Sequence, residues 1–520
     1  MTKNVFFAAL TAVVGLIAMT NAVAADPNTL TLSLNADIRS TEPGMSPDDP
    51  TGIVLAQILE GLVAQAADGS VKPMLADSID VSPDAKTYTF ALRKGVTFHD
   101  GTPLNASVVA WNWKRYLDPK TRWSCRSYFD GSQSIKIDSV DVVDANHVRF
   151  TLAAPSRQLL PMMARTECDQ SAIVSPASVD ATGNWLKPYG TGPYMLQTWN
   201  KGQSITLKRF AGYKPASGPP DGYAGDKTAY IDTVRFLVIP DESATKAALQ
   251  SGSIDIWYSM NAELAADLKD DPSLRITSAP GLGPLILLLQ TADPVMKDVR
   301  IRRALAMAID AAGISQVSSQ GLAPVDGSLV TPTSRYYKGD MLKRIPYDIT
   351  GARKLLSEAG YHGQPIAITT NTRFKSMYDT ALAVQAMAQQ AGLNVTVKPL
   401  EFASMLNDFF GGHYQVMTFS LAAALDPTFT YDRFIGDKTK QASKVWDSAE
   451  ARNGLAKLLN ANSDADKQAA FVQLHDLMLR DVPIIGLTAG SVTAGANKRV
   501  LGFAAWPGRR PRLWGIKLAK

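Results

Sequence analysis

The chain has 520 residues, of which 46% are hydrophobic and 19% are charged. A chain of this length and composition can bury a large core and divide into two or three lobes, which excludes a disordered protein. The net charge is +5, and the densest basic cluster, Arg509, Arg510 and Arg512, lies near the C-terminus. A nucleic-acid-binding protein needs a broader basic surface, so we expect a solvated tail and no nucleic-acid partner.

The first residues have the pattern of a secretory signal peptide. Lys3 precedes an apolar run from Val5 to Met19, and small residues follow at Ala22 and Ala24. This order predicts a signal peptide over residues 1–24 and an exported mature chain, with a buried N-terminal helix as the alternative. No cysteine stands at the cleavage position, so we expect no lipid anchor there. No other apolar run reaches the roughly 18 residues of a membrane span.

Cys125 and Cys168 are the two cysteines of the chain. In an exported protein, a pair of cysteines more often forms a disulfide than stays reduced. We therefore predict a Cys125–Cys168 disulfide that lies within one lobe. Two separate buried thiols are the alternative.

In the first half of the chain, strand and helix patterns alternate. Residues 86–92 alternate apolar and polar side chains, which predicts a half-buried strand, and a helix capped by Asn105 follows. Residues 189–210 predict two strands, and 232–240 a further strand. A predicted helix from Ser243 to Ser251 and another strand come next, so the pattern indicates a mixed α/β fold.

The second half repeats this order. Residues 280–290 form an apolar run bounded by glycine and proline, which predicts a strand buried on both faces. An amphipathic helix is predicted over 299–309, a strand, helix and strand over 365–399, and a helix over 464–479. We therefore expect parallel strands with crossover helices in both halves.

Motifs of enzymes are absent from the sequence. The five histidines are dispersed, and neither they nor the cysteines have metal-ligand spacing, so we expect no metal and no cofactor. Gly190-Thr191-Gly192 lacks the lysine of a phosphate-binding loop, and no Gly-x-Ser-x-Gly elbow occurs. The sequence therefore predicts that the protein is not an enzyme. An exported hydrolase that uses carboxylates in a cleft is the alternative from another class.

Residues 75–117 closely resemble the signature region of extracellular solute-binding proteins of family 5. These proteins are the peptide- and nickel-type receptors of ATP-driven (ABC) importers. Five further landmarks follow in the order of the family: GTGPYMLQTWNKGQSITLKRF, IDTVRFLVIPDESATKAALQSGSIDI, VRIRRALAMAIDAAGI, GARKLLSEAGY and VPIIGL. The resemblance covers almost the whole mature chain.

The resemblance implies an α/β fold of the periplasmic-binding-protein clamshell type, type II, in its large form with three subdomains and two crossover hinge strands. Lobe I then comprises residues 25–280 and 487–520, with a small subdomain at about 50–175, and lobe II comprises 281–486. The implied protein is a monomeric periplasmic receptor. It captures a peptide or peptide-sized solute between its lobes and delivers it to the membrane permease of an ABC importer.

Ligands of open α/β sheets bind at the carboxyl ends of strands, which in a two-lobed receptor face the cleft. Trp257 and Tyr258 are candidates for stacking on a ligand, with core packing as the alternative. Arg373 is a candidate for binding a carboxylate or phosphate, with a solvated surface arginine as the alternative. The predicted ligand-contacting residues are Asn35, Glu42, Trp257, Tyr258, Asn371, Arg373, Ser420, Ala423, Leu425 and Asp426.

The sequence differs from the family pattern at a position that affects which ligand is expected. Peptide receptors of the family hold the peptide's ammonium group with an aspartate in a segment like Trp-x-Ala-Asp-Tyr-x-Asp-Pro, and that aspartate falls on Ala423 when the segment is aligned on Asp426-Pro427. A buried ammonium group without a carboxylate costs several kcal/mol. The alternative ligand is therefore one without a free amino terminus, such as an opine, a sugar conjugate, a blocked peptide or a metal chelate. Asp426 either replaces the lost carboxylate or supports the turn.

Overall fold

The computed structural model describes residues 28–133, 135–421, 426–508 and 510–519. The predicted signal peptide lies outside the described residues. Within the described ranges, no helix combines the length and the apolar character that crossing a membrane requires.

The strands are numbered in chain order. They are β1 (Thr29–Leu34), β2 (Val63–Gln65), β3 (Val71–Pro73), β4 (Ala76–Val81), β5 (Thr87–Leu92), β6 (Ile137–Asp144), β7 (His147–Leu152), β8 (Tyr194–Asn200), β9 (Ser204–Arg209), β10 (Thr233–Val238), β11 (Ile256–Met260), β12 (Leu274–Pro280), β13 (Leu285–Leu289), β14 (Ile366–Asn371), β15 (Val395–Leu400), β16 (Val416–Ser420), β17 (Ile484–Thr488), β18 (Ser491–Asn497), β19 (Val500–Leu501) and β20 (Lys517–Leu518).

The helices are numbered in the same way. They are α1 (Asp49–Ile58), α2 (Ala106–Leu117), α3 (Leu159–Met163), α4 (Glu242–Gln250), α5 (Ala262–Leu268), α6 (Val299–Ala308), α7 (Ala311–Ser319), α8 (Ile349–Glu358), α9 (Lys375–Gln390), α10 (Phe402–Gly411), α11 (Thr428–Phe434), α12 (Ala449–Leu459) and α13 (Asp464–Asp481).

Two large sheets and one small sheet organise the chain. The first sheet has the strand order β12-β18-β11-β1-β10-β9-β8, and the second has the order β15-β14-β16-β13-β17. The small sheet, β4-β5-β7-β6, is antiparallel and packs against α2. We call the parts of the chain around the first and second sheets lobe I and lobe II, and the part around the small sheet the small subdomain. Each part has its own hydrophobic core.

The local predictions agree with the observed elements. The alternating segment at 86–92 forms β5, and the side chain of Asn105 accepts a hydrogen bond from the Val108 amide (3.0 Å) at the start of α2. The apolar run at 280–290 contains β13, whose residues are all buried. The predicted parallel arrangement is only partly correct, because β13 is antiparallel to both of its neighbours, β16 and β17.

Two short crossovers join the large sheets. Residues 281–284 connect β12 of the first sheet to β13 of the second, and residues 489–490 return the chain from β17 to β18. The crossovers touch, because the Gly281 amide donates a hydrogen bond to the Gly490 carbonyl oxygen (3.1 Å). Gly490 has φ +73°, and a Cβ atom there would lie 2.6 Å from the Gly283 carbonyl oxygen. A side chain at this position is therefore excluded by both backbone conformation and space.

The small subdomain also touches lobe II directly. Arg157 Nε donates a hydrogen bond to Asn462 Oδ1 (2.6 Å), and Gln158 Nε2 donates to the Leu459 carbonyl oxygen (2.9 Å). We call this contact region between the small subdomain and lobe II the seam. These contacts join parts on opposite sides of the crossovers, so lobe II rests against the small subdomain in this structure.

The predicted disulfide between Cys125 and Cys168 is present, and it lies within the small subdomain. A backbone hydrogen bond links each half-cystine to a residue three positions away in the chain. The Tyr128 amide donates a hydrogen bond to the Cys125 carbonyl oxygen (3.1 Å), and the Cys168 amide donates to the Arg165 carbonyl oxygen (3.2 Å). The disulfide therefore holds Tyr128 and Arg165 near each other.

A buried ionic network lies between lobe I and the small subdomain. The carboxylate of Glu60 lies 3.7 Å from Lys227 Nζ and 3.9 Å from the guanidinium of Arg93. It also accepts hydrogen bonds from Thr191 Oγ1 (2.9 Å) and Tyr213 Oη (3.1 Å). The side chains of Glu60 and Lys227 are only 0% and 1% exposed. Burial lowers the pKa of Lys227, and the charge of Glu60 opposes this effect.

Asp326 is a buried titratable group, and it predicts a pH dependence of stability. Burial raises the pKa of Asp326 from 3.8 to about 7, although the hydrogen bond from the Ser328 amide and the nearby Tyr337 side chain oppose the shift. The folded protein therefore keeps a proton on Asp326 at pH values where the unfolded chain has lost it. Stability is lost as pH rises from about 4 to 7, and the loss is complete above the folded-state pKa.

We expect Asp326→Asn to stabilise the protein at pH 8 by up to about 4 kcal/mol, because about three pKa units correspond to that free energy. Asparagine Oδ1 can still accept the hydrogen bond from the Ser328 amide (2.9 Å in the native chain). The gain should shrink as pH falls toward 4. Urea unfolding at pH 4.5 and pH 8 measures this gain, with Asp271→Asn as the control: Asp271 is a partly exposed turn aspartate whose pKa is lowered by hydrogen bonds from Ser273, so its replacement should give no gain at pH 8. A gain that does not change with pH would contradict this explanation.

Candidate functional site between the two sheets

A cavity of about 790 Å³ lies between the two large sheets. Lobe I contributes Glu242, residues 259–263 and residues 491–493 to its walls. Lobe II contributes the end of α7, the start of α9 and the end of β16, and both crossovers also line it. Because its walls come from both lobes and from the chain segments that join them, the shape of this cavity depends on the angle between the lobes.

On the lobe II wall, one cationic group is Arg373, which was a candidate for ligand binding. Arg373 follows β14, is exposed, and lines the cavity. Its guanidinium lies 5.6 Å from the ring centroid of Phe374 and 5.5 Å from that of Phe402. It makes no hydrogen bond or ion pair with any residue in the described ranges. Its donors are therefore free to bind a carboxylate in a bidentate manner.

Asn371 positions Arg373 but does not line the cavity. Its side chain is fully buried, and Oδ1 accepts a hydrogen bond from the Phe374 amide (3.0 Å). Its Nδ2 contacts the sulfur atoms of Met377 and Met405, each at 3.4 Å. This residue therefore fixes the turn between β14 and α9 on which Arg373 stands.

A second cation on the same wall is Lys375. Its Nζ lies 2.6 Å from Asp379 Oδ2, and this hydrogen bond is the main reason why the pKa of Lys375 is raised. The charge of Glu263, which belongs to lobe I, adds to the effect. The electrostatic interaction between Lys375 and Glu263 therefore crosses the cavity.

The lobe I wall carries carboxylates. Glu242 stands at the start of α4, and Glu263 stands in the first turn of α5. Asn261 Nδ2 donates a hydrogen bond to Glu242 Oε2 (2.8 Å), while Asn261 Oδ1 accepts from the Leu264 amide (2.8 Å). The cavity therefore has two carboxylates on lobe I, whereas on lobe II it has Arg373 and an ion pair between Lys375 and Asp379.

Sequence reasoning did not identify Glu242, Asn261 and Glu263, although the signal was present. Strand β10 is parallel to β1, and β11 is also parallel to β1, so their carboxyl ends lie at the same edge of the first sheet. Glu242 follows β10, and Asn261 follows β11. The rule that predicted Asn35 after β1 applies equally to these two positions.

Asn35 and Glu42 do not line the cavity of about 790 Å³. After β1 the chain turns toward the β8–β9 hairpin, where Trp199 Nε1 donates a hydrogen bond to Asp37 Oδ1 (3.0 Å). Glu42 forms an ion pair with Arg115 of α2. Both positions are thus drawn toward other parts of lobe I and the small subdomain.

Trp257 and Tyr258 also lie away from the wall of this cavity. Their side chains are 5% and 8% exposed. Trp257 packs with residues of α4 and α5, and Tyr258 packs in the main core of lobe I. Because β11 is covered on both faces, these aromatic side chains pack in the core, which was the alternative to stacking on a ligand.

The last predicted segment is described only in part. Ser420 is exposed and lines the cavity. Asp426 is buried, accepts a hydrogen bond from the Thr428 amide (2.9 Å), and has Oδ2 3.7 Å from Lys467 Nζ. It therefore supports the turn before α11. Ala423 and Leu425 lie outside the described residues.

The described residues contain no group of three histidine, cysteine, aspartate or glutamate side chains that could hold a metal ion. The polar side chains of the cavity are instead two separate charged walls with hydroxyl and amide groups between them. This arrangement suits an organic solute that carries charges of both signs.

Comparisons with known proteins identify the family of the chain. The model of the family "bacterial extracellular solute-binding proteins, family 5" (middle region) matches residues 70–442. The chain is 25% identical over 495 residues to the glutathione-binding protein GsiB of Shigella dysenteriae serotype 1, a match that covers 92% of each chain.

Solved structures show the same fold. AgaA from A. tumefaciens R10, in complex with agropinic acid, has a TM-score of 0.71 and 25% identity, over 95% of this chain and 99% of that chain. NikA from Brucella suis, in complex with Fe(III)-EDTA, has a TM-score of 0.81 and 20% identity, over 94% of this chain and 100% of that chain. The predicted two-lobed α/β fold is confirmed. Because the family model matches more than half of the chain, the protein belongs to family 5 of the bacterial extracellular solute-binding proteins.

Proposed function

We propose that this protein is a periplasmic receptor of an ABC importer, and that it captures a peptide-sized solute with at least one carboxylate between its lobes. Membership in family 5 and the predicted signal peptide support this role. Delivery to a membrane permease is part of the proposal. The family consists of solute-binding proteins, which gives the alternative of an exported hydrolase no support.

The observation that carries the proposal is the cavity between the sheets. Its volume of about 790 Å³ lies within the range of roughly 300–1,000 Å³ that is common for sites of small ligands. A solute that contacts both walls binds the closed arrangement more tightly than an open one. It therefore shifts the protein toward closure, in the manner of hinged binding proteins.

The two charged walls suggest how the solute is oriented. Arg373 and Lys375 suit a carboxylate, whereas Glu242 and Glu263 suit an ammonium group on the opposite side. In this arrangement, carboxylates of lobe I replace the family aspartate that is missing at Ala423. The loss of that aspartate then changes the position of the ammonium group and does not exclude a peptide.

The choice of solute has two candidates. Glutathione, a tripeptide with two carboxylates and one ammonium group, is supported by the relatives named as glutathione-binding proteins. A solute without a peptide amino terminus, such as an opine, is supported by Ala423 and by the likeness to AgaA in complex with agropinic acid. Both candidates place a carboxylate beside Arg373.

Native mass spectrometry tests the proposal. The protein is refolded free of solute and then incubated with glutathione or with a tryptic digest of casein. We expect one peptide-sized, carboxylate-bearing solute per chain, and we expect it to be released on unfolding. A protein that stays free of solute in both mixtures would argue against a peptide as the solute, and a protein that converts the solute into products would argue against a receptor.

A further inference from the structure

The seam contains a cation that is held between two aromatic rings from different lobes. The guanidinium carbon of Arg165 lies 4.5 Å from the ring centroid of Tyr128, in the small subdomain, and 4.7 Å from that of Phe429, in lobe II. Phe429 packs against the core of the small subdomain although it belongs to α11. This sandwich therefore joins the small subdomain to lobe II across the seam.

The hydrogen-bonding capacity of Arg165 is only partly used. Its Nη2 forms an ion pair with Glu167, and its Nη1 contacts the sulfur of Met162 at 3.8 Å. Its Nε is buried and has no hydrogen-bond partner among the described residues. A buried guanidinium N–H without a partner is costly, so this nitrogen is a position where an acceptor from outside the chain would be stabilised.

A second guanidinium lies beside this one. Arg433 stands four residues after Phe429, on the same face of α11, and is exposed. It makes no hydrogen bond or ion pair with any described residue. Neighbouring atoms desolvate Arg433, and this effect together with the charge of Arg165 lowers the pKa of Arg433. Because the Phe429 ring contacts Arg165 and Arg433 stands one helical turn further along α11, the two guanidinium groups lie near each other at the seam.

The charges at the seam do not balance. Glu167 is the carboxylate that pairs with Arg165, and its charge also reaches Arg433. Arg126 and Asp130, on the turn that carries Tyr128, pair with each other at 3.2 Å. Among these groups, one positive charge thus has no carboxylate partner, and it lies at the seam between the small subdomain and lobe II.

We propose that Arg165 and Arg433 form an anion-binding subsite that assembles when the lobes close and that takes a carboxylate or phosphate group. The disulfide holds one half of the subsite, Tyr128 and Arg165, while α11 brings the other half, Phe429 and Arg433. An anion between the two guanidinium groups removes their repulsion and so stabilises closure. The proposal rests on the proposed closure of the lobes but not on the identity of the solute in the large cavity.

The test uses inorganic phosphate as the probe, with sodium chloride added to keep the ionic strength constant. Binding is measured by calorimetry and by the rise in melting temperature for the wild type, Arg433→Gln and the control Arg452→Gln, an exposed arginine that pairs with Asp447. We expect phosphate to bind the wild type and the control alike, and to bind Arg433→Gln at least about tenfold more weakly. Because Arg433 is exposed, its replacement should leave folding intact. Arg165→Lys keeps the positive charge but loses the planar set of guanidinium donors, so this variant should also bind phosphate more weakly.

The same variants, titrated with glutathione, distinguish two sources of the anion. If Arg433→Gln weakens both phosphate and glutathione, the subsite takes an acidic group of the transported solute. If it weakens phosphate alone, the subsite takes a separate anion. Equal phosphate binding by all variants would mean an adventitious ion only, and no binding by the wild type would overturn the proposal. The outcome of the phosphate experiment does not bear on the proposed role of the large cavity, which is tested by the replacement of Arg373.

Discussion

Arg373→Met is expected to weaken the binding of glutathione by roughly 30-fold to 1,000-fold. Removing one partner of a desolvated, hydrogen-bonded charge pair typically costs about 2–4 kcal/mol or more, because the other charge is left without a partner. The guanidinium of Arg373 is suited to this role because it lines the cavity and makes no ion pair with a described residue. Calorimetric titration of both proteins with glutathione measures the effect.

Two controls separate this role from a general effect of charge. Arg353→Met removes an exposed arginine of α8 that donates to the Gln390 carbonyl oxygen (2.7 Å) and should leave the affinity unchanged. Glutathione dimethyl ester, whose carboxylates are blocked, should bind the wild type weakly. Arg373→Met should bind this ester with an affinity no lower than that of the wild type, because the ester has no carboxylate for Arg373 to contact. If the variant preferred glutathione to its ester as strongly as the wild type does, Arg373 would not be the carboxylate partner.

Lys227→Met is expected to destabilise the folded protein by about 3–5 kcal/mol. The reason is that Glu60, whose side chain is 0% exposed, loses the ammonium group 3.7 Å away and becomes a buried charge without its main partner. The guanidinium of Arg93, 3.9 Å from the same carboxylate, compensates only in part. Urea unfolding followed by tryptophan fluorescence measures the change.

The double variant Glu60→Gln/Lys227→Met should be more stable than Lys227→Met, because it removes the buried charge together with its partner. Lys246→Met is the matched control, since its ion pair with Asp267 is exposed and should contribute less than about 1 kcal/mol. If the single and the double variants were equally destabilised, packing of the lysine chain and not charge would explain the loss.

The local elements of the fold could be predicted, whereas strand pairing could not. The alternating pattern of β5 and the capped start of α2 are set by neighbouring residues, so the sequence pattern is sufficient for both. For strand β13, no local sequence pattern indicates whether it pairs parallel or antiparallel with its neighbours. Its neighbours β16 and β17 come from more than 120 residues away, and its five buried residues fit parallel and antiparallel pairing equally well.

The rule that ligands bind at strand ends identified some residues of the cavity wall, but it also selected Asn35 and Asn371, which do not line the cavity. Arg373 and Ser420 were found in this way, and both line the cavity. Glu242 and Glu263 were missed because acidic residues in the first turn of a helix are common for reasons of helix stability alone. The pair of Arg165 and Arg433 was missed because residues 268 positions apart meet only through the packing of the lobes.

The central claim is that a solute bound between the two sheets holds the lobes closed. Small-angle X-ray scattering of the solute-free protein, before and after addition of the solute retained in native mass spectrometry, tests it directly. We predict that the radius of gyration decreases on binding, and that Arg373→Met shows no decrease at the same solute concentration. Tight binding with an unchanged radius of gyration would contradict the account.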